Sequence, residues 1–184
     1  MEFLLDPPFG VGPLRLGMAP DEVRAALESI GPLQPTAYGE LAVHLASGLG
    51  FSVGFGVGVT LNRVNAIEVW RPHERDVVRY RDVDVLGVPA LEVVEQLRRH
   101  VEVEANEEDD GFTARELYLA LWRPFAADDD PDETQGHFFQ SVLIARPGYD
   151  DTPAEAAARL AARATNLVTD SGSVSTLGRA DSPR

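Results

Sequence analysis

The sequence predicts an α+β fold of two duplicated modules, each a helix plus an antiparallel sheet, with the helices packed on one face of the sheet. Three observations predict it. A segment of helical period is followed by segments of period two, the same order recurs further along the chain, and both helical segments open with one pattern. That pattern is Gly17, Glu22, Val23 and Leu27 in the first copy and Gly87, Glu92, Val93 and Leu97 in the second.

The first helix is expected from Pro20. Val23, Ala26, Leu27 and Ile30 recur at helical spacing, Asp21 and Glu22 occupy the first turn, and Gly31-Pro32 is a stop signal. "AVHLA" and "FSVGFGVGV" then alternate in twos, and "VNAIEVWRP" continues as a strand to Pro72. In the glycine-rich run, Phe51, Val53, Phe55, Val57 and Val59 face the core. Ser52, Gly54, Gly56, Gly58 and Thr60 leave the other face almost bare. Such a strand is either a bulged edge or a flat contact surface for a partner.

Residues 73–80, "HERDVVRY", read as a connector between a first module at 1–72 and a second at 81–150. In the second module "FTARELYLALWRP" and "HFFQSVLIARP" read as strands, and Arg146-Pro147 answers Arg71-Pro72. The copies are offset by 70 residues at the glycine and 75 at the proline, which fits an insertion in the acidic loop "AADDDPDETQG". Thr152 and Pro153 open a further helix over 151–165, and 166–184 has the composition of a mobile tail.

A Gly-Met start to a helix, Val five residues after the Met, then a run of antiparallel strands, in a module of about 70 residues that occurs twice, its second copy lacking the Met, resembles the tandem fold of the beta-lactamase inhibitor protein family. It is also similar to the single-module SmpA/BamE outer-membrane lipoproteins. The matching residues are Gly17, Met18, Val23 and Leu27, with Gly87, Val93 and Leu97 in the second copy, and the likeness spans residues 10–147. The resemblance implies the helix-on-sheet fold. Two departures stand out: Ala19 replaces the usual Ser or Thr after Met18, forgoing a cap worth about 1 kcal/mol, and the chain has no cysteine for a disulfide or a lipid anchor.

Composition excludes several chemistries. Without cysteine there is no thiolate nucleophile and no cysteine-held metal. All 16 basic residues are arginine, which removes a P-loop lysine and every Schiff-base scheme and points to a GC-rich bacterial genome. A net charge of −14 argues against a phosphate-backbone partner, so no nucleic acid is expected. Residues 100–135 hold 12 acids and two arginines, forming either solvated loops or an acidic dock for a basic protein. The longest apolar run is broken by glycines, and "MEFLLDPPFG" lacks the basic start of a secretory signal, so a cytoplasmic, membrane-free protein is expected.

Gly50-Phe51-Ser52-Val53-Gly54 matches the nucleophile-elbow pattern, which needs a sharp strand-to-helix turn to expose its serine; His100 or His137 could complete a triad on paper. No helix opens after Gly54, Gly56 and Gly58, as a phosphate loop requires. The four histidines are scattered, and "DDDPDE" lacks the glycine and distal glutamate of a calcium loop, so no cofactor or metal is expected. Strand alternation sends Phe138 and Phe139 to opposite faces, leaving one of them as an exposed anchor. The sequence therefore predicts a non-enzymatic protein-binding module of inhibitor, adaptor or toxin-immunity type, its contacts drawn from Glu107, Glu108, Asp109, Asp110, Trp122, Arg123, Phe138 and Arg146. The alternative is a small-ligand-binding protein or a hydrolase using Ser52 and a histidine.

Overall fold

The computed structural model describes residues 1–35, 41–56, 61–74 and 76–149. By contact density the chain divides into two compact units, Met1–Pro147 and Gly148–Arg184. The helix expected over 151–165, the tail after it, and Val57 to Thr60 lie outside the described residues.

The first unit begins with β1 (Glu2–Asp6), β2 (Gly10–Val11), β3 (Leu14–Arg15) and α1 (Pro20–Ile30), followed by β4 (Leu33–Pro35), β5 (Leu41–His44), β6 (Gly50–Phe55) and β7 (Val64–Trp70). Its second half runs β8 (Val77–Tyr80), β9 (Val83–Asp84), α2 (Ala90–Arg98), β10 (Glu104–Ala105), β11 (Gly111–Ala114), β12 (Leu119–Trp122), a short α3 (Thr134–His137) and β13 (Ser141–Ala145). A 3-10 turn, Arg115–Leu117, separates β11 from β12. The protein is α+β. Among the described residues no helix is long and apolar enough to cross a membrane.

Both expected helices form, for the reasons their sequences give. Helix α1 buries Val23, Leu27 and Ile30 on one stripe and carries its acids in the first turn; α2 buries Ala90, Val93, Val94 and Leu97. At the entry to α1 the Glu22 carboxylate accepts the Ala19 backbone N–H at 2.7 Å, while Ala19 has no side-chain oxygen to return the bond. The two recurrent glycines answer different needs. Gly17 has φ +89°, where an L side chain is strained, whereas a Cβ on Gly87 would meet the Asp84 carboxylate at 2.2 Å.

Eight strands make one continuous sheet in the order β10-β11-β12-β13-β7-β6-β5-β4. Each half is a four-strand meander that follows its helix, and the last strands of the two meanders, β7 and β13, pair antiparallel at the centre with Ser141 opposite Trp70 and Ala145 opposite Ala66. A smaller sheet, β3-β2-β1-β8-β9, places one hairpin on each side of β1, and each hairpin leads into a helix. Arg71, which follows β7, donates from Nε to the Leu86 carbonyl at 2.9 Å, beside the turn that opens α2. Arg146, which follows β13, has Nη2 3.8 Å from where a Cβ would sit on Gly17, beside the turn that opens α1. The arginine ending each meander thus meets the helix entry of the other half.

Three expectations need correction. Residues 77–80 are a strand rather than connector: β8 pairs parallel with β1, Phe3 opposite Val78. "FTARELYLALWRP" is two strands, because Tyr118 adopts φ +49° after the 3-10 turn and folds β12 back on β11. The strand expected from His137 starts at Ser141, behind α3. Helices α1 and α2, the small sheet and the large sheet share one core, so the two halves are not separate bodies.

Candidate functional site

The large sheet has two chemically distinct faces. Val43, Phe51, Val53, Ile67, Val69, Phe112, Leu119, Leu121, Val142 and Ile144 belong to the core cluster with Val23, Leu27, Val93 and Leu97 of the helices. Their alternates along the strands, His44, Ser52, Glu68, Trp70, Leu143, Ala120, Trp122 and Thr113, lie outside that cluster. The period of two in each strand produces this division.

Across one end of the second face runs a row fixed by strand register: His44, Gly50, Trp70, Ser141, Trp122, Gly111. Trp70 is 37% exposed and Trp122 43%, while Ser141 between them is 2% exposed. Two strand spacings put their Cα atoms roughly 9.6 Å apart. The outer side of Trp70 is crowded, since a Cβ on Gly50 would lie 2.8 Å from the His44 ring and 3.3 Å from Trp70 Cβ.

The two meanders provide an internal control. Superposing Arg71-Pro72 on Arg146-Pro147 makes Trp70 equivalent to Ala145, and the strand registers then make Trp122 equivalent to Gly54. Both matched places hold a small residue.

Two acidic loops border Trp122, and one buried arginine holds both. Arg123 is fully buried. Its Nε and Nη2 donate to the Asp109 carbonyl at 3.1 and 3.0 Å, Nη1 donates to the Gly136 carbonyl at 2.8 Å, and both terminal nitrogens bond the Asp128 carboxylate. The β10-β11 loop is fixed again from within. Asn106 Oδ1 accepts the backbone N–H groups of Asp110 and Gly111 at 3.1 and 3.0 Å, and its Nδ2 donates to the Asp110 carboxylate at 2.6 Å. Glu107, Glu108 and Asp109 are exposed on this braced turn, and Asp129, Asp130, Asp132 and Glu133 on the longer loop. The chain matches no family model, no curated protein and no solved structure.

The site residues expected from sequence do not all come together. Glu107, Glu108, Asp109, Asp110 and Trp122 gather at one end of the sheet. Arg123 is corrected from a surface contact to an interior brace, since no part of it reaches solvent. Arg146 lies apart from these residues: it follows the far end of β13, about 16 Å along the strand from Ser141. Of the phenylalanine pair, Phe139 is in the core, and Phe138 is half-buried beneath the Arg71 guanidinium, 4.3 Å from the ring centroid. Burial pushes the Arg71 guanidinium below its ordinary value, with the charge of Asp84 opposing the shift. Trp70 is the residue that sequence reasoning left out; its alternation with Val69 and Ile67 was the available signal.

Ser52 lies within β6 opposite Ala42 and Glu68, with no turn at its position, so the elbow geometry is not formed there. His44 Nδ1 is 3.2 Å from Gln34 Oε1, and His100 lies beside Arg81 and Asp82. Among the described residues no group of three or more metal-ligating side chains converges. A dent lined by Glu102, Glu104, Thr113, Arg115 and Glu116 measures about 30 Å³, well below the several hundred Å³ of an organic-ligand pocket.

Proposed function

We propose that the chain is a non-enzymatic protein-binding module of the inhibitor, adaptor or toxin-immunity kind, taking its partner on the sheet face opposite the helices. One observation carries this reading: Trp70 and Trp122 stand exposed on either side of Ser141, at positions whose counterparts in the other meander are Ala145 and Gly54. Large aromatic side chains that the fold does not need are costly to leave in water, and tryptophan is the residue most enriched among interface anchors. The acidic β10-β11 loop leads into Gly111, which pairs with Trp122. Strand-borne anchors of this kind are pre-organised, which limits the ordering entropy lost on binding.

The test uses the purified protein as bait in lysate of its own host, beside a Trp70→Ala/Trp122→Ala double variant of equal stability. One protein retained by the wild type at a fixed stoichiometry and lost from the variant is the expected result. The same proteins on both baits would sink the reading.

A further inference from the structure

We infer that the α-amino group of Met1 is an acylation-sensitive modification site: an acyl group on it withdraws the cation from the nearly buried Asp76 carboxylate and loosens β1 together with the β5-β6 turn. The inference stands apart from the docking face. Composition makes the site selective. All 16 basic residues are arginine, so this amine is the one primary amine among the 184 residues, and an acyl donor that attacks amines has no other target there.

Geometry gives the modification its consequence. The Met1 amino group donates to Asp76 Oδ1 and the Ser47 hydroxyl donates to Asp76 Oδ2, so one carboxylate joins the start of β1 to the turn between β5 and β6. Backbone bonds continue the joint. The Val77 N–H donates to the Met1 carbonyl at 2.9 Å where β8 begins its pairing with β1, and the His73 N–H donates to the Ser47 carbonyl at 2.7 Å. Met1 is exposed, whereas the Asp76 side chain is 8% exposed. A reagent can reach the amine, but water barely reaches its partner.

In acyl transfer from a thioester the ammonium first gives a proton to water. The amine then forms a C–N amide bond, the C–S bond of the donor breaks, and the thiol leaves with the second proton. The product carries no charge. Its single N–H can still donate to Asp76, but the attraction between ammonium and carboxylate is gone, and a carboxylate so little exposed is costly without its cation. The loss falls on β1, which has β2 on one side and β8 on the other.

The full-length protein is treated with N-hydroxysuccinimidyl acetate, then with hydroxylamine to clear esters, and the singly acetylated product is compared with untreated protein. A second sample is reductively dimethylated, which leaves the amine positively charged. Expected is an unfolding equilibrium constant raised at least about tenfold by acetylation and less than about twofold by dimethylation. Amide exchange protection at Leu45, Gly48, His73 and Val77 should fall in the acetylated sample alone. In Asp76→Asn, acetylation should change the constant by less than about twofold, because no carboxylate remains to be stranded. Unchanged stability on acetylating the wild type, an equal loss on dimethylation, or an equal loss in Asp76→Asn overturns the inference. Should Asp76→Asn fail to fold, the comparison of acetylated with dimethylated protein decides alone.

Discussion

Trp70 and Trp122 lie two strands apart with Ser141 between them, and neither belongs to the core that α1, α2 and both sheets share. Binding and stability should therefore separate. Trp70→Ala and Trp122→Ala, whose residues are still more than half covered by their neighbours, should each cost about 1–3 kcal/mol. Phe139→Ala, which empties a fully buried ring site packed edge-on against Phe112, should cost about 3–5 kcal/mol. Urea unfolding followed by circular dichroism measures all three without relying on tryptophan emission. A loss of several kcal/mol from either tryptophan variant would make the residue part of the fold.

Arg123 should behave in the opposite way. Replacing it by methionine keeps much of the volume but strands the Asp109 and Gly136 carbonyl oxygens and the Asp128 carboxylate, for a cost of about 3–5 kcal/mol. Lysine retains the charge but not the planar fork, so Arg123→Lys should fall between wild type and Arg123→Met. Amide hydrogen exchange supplies a second readout. Protection should drop at Asp109 to Gly111 and at Gly136 to Phe138 even in Arg123→Lys, because these loops share the guanidinium as their common brace.

Much of this was legible in the sequence because it is periodic. Val23, Leu27, Val93 and Leu97 announce two helices, and Phe51, Val53 and Phe55 announce which face of β6 is covered. What was illegible follows from the same dependence on period. In β1 the exposed Leu4 lies between the buried Phe3 and Leu5, so "EFLLD" loses its alternation by composition while keeping it in space. The turn between β11 and β12 contains no Gly, Pro, Asn or Asp, and its left-handed residue is a tyrosine, so nothing in "ARELY" marks a reversal. Arg123 reads as a surface cation because arginine usually is one. Only the carbonyl oxygens that long-range folding brings around it make its burial tolerable.

The entry to α1 offers a gain rather than a loss. Glu22 already bonds the Ala19 backbone N–H, which is half of a capping box. Ala19→Ser would add the reciprocal acceptor for the third-residue N–H and should raise stability by about 1 kcal/mol. The shift in urea midpoint at unchanged slope measures it, and Glu22→Ala should abolish most of the benefit, since the two bonds support each other.

Asp76 links stability to pH. Its side chain is 8% exposed, and that burial favours the neutral acid, but hydrogen bonds from the Met1 amino group and the Ser47 hydroxyl, with the positive charge of the amine, outweigh it and hold the carboxyl below its ordinary value. A carboxylate depressed in the folded state stabilises the fold fully above its unfolded pKa of about 3.9 and loses that contribution as pH falls through the folded value. The stability difference between wild type and Asp76→Asn should therefore be constant above about pH 5 and narrow steadily below about pH 4. Ser47→Ala removes one of the two bonds, so its own deficit should follow the same course at smaller amplitude. Urea midpoints across pH 2.5 to 7 decide the matter, and a deficit for Asp76→Asn that stays level through the acid range would show that the Asp76 carboxyl is not held in its ionised form by these partners.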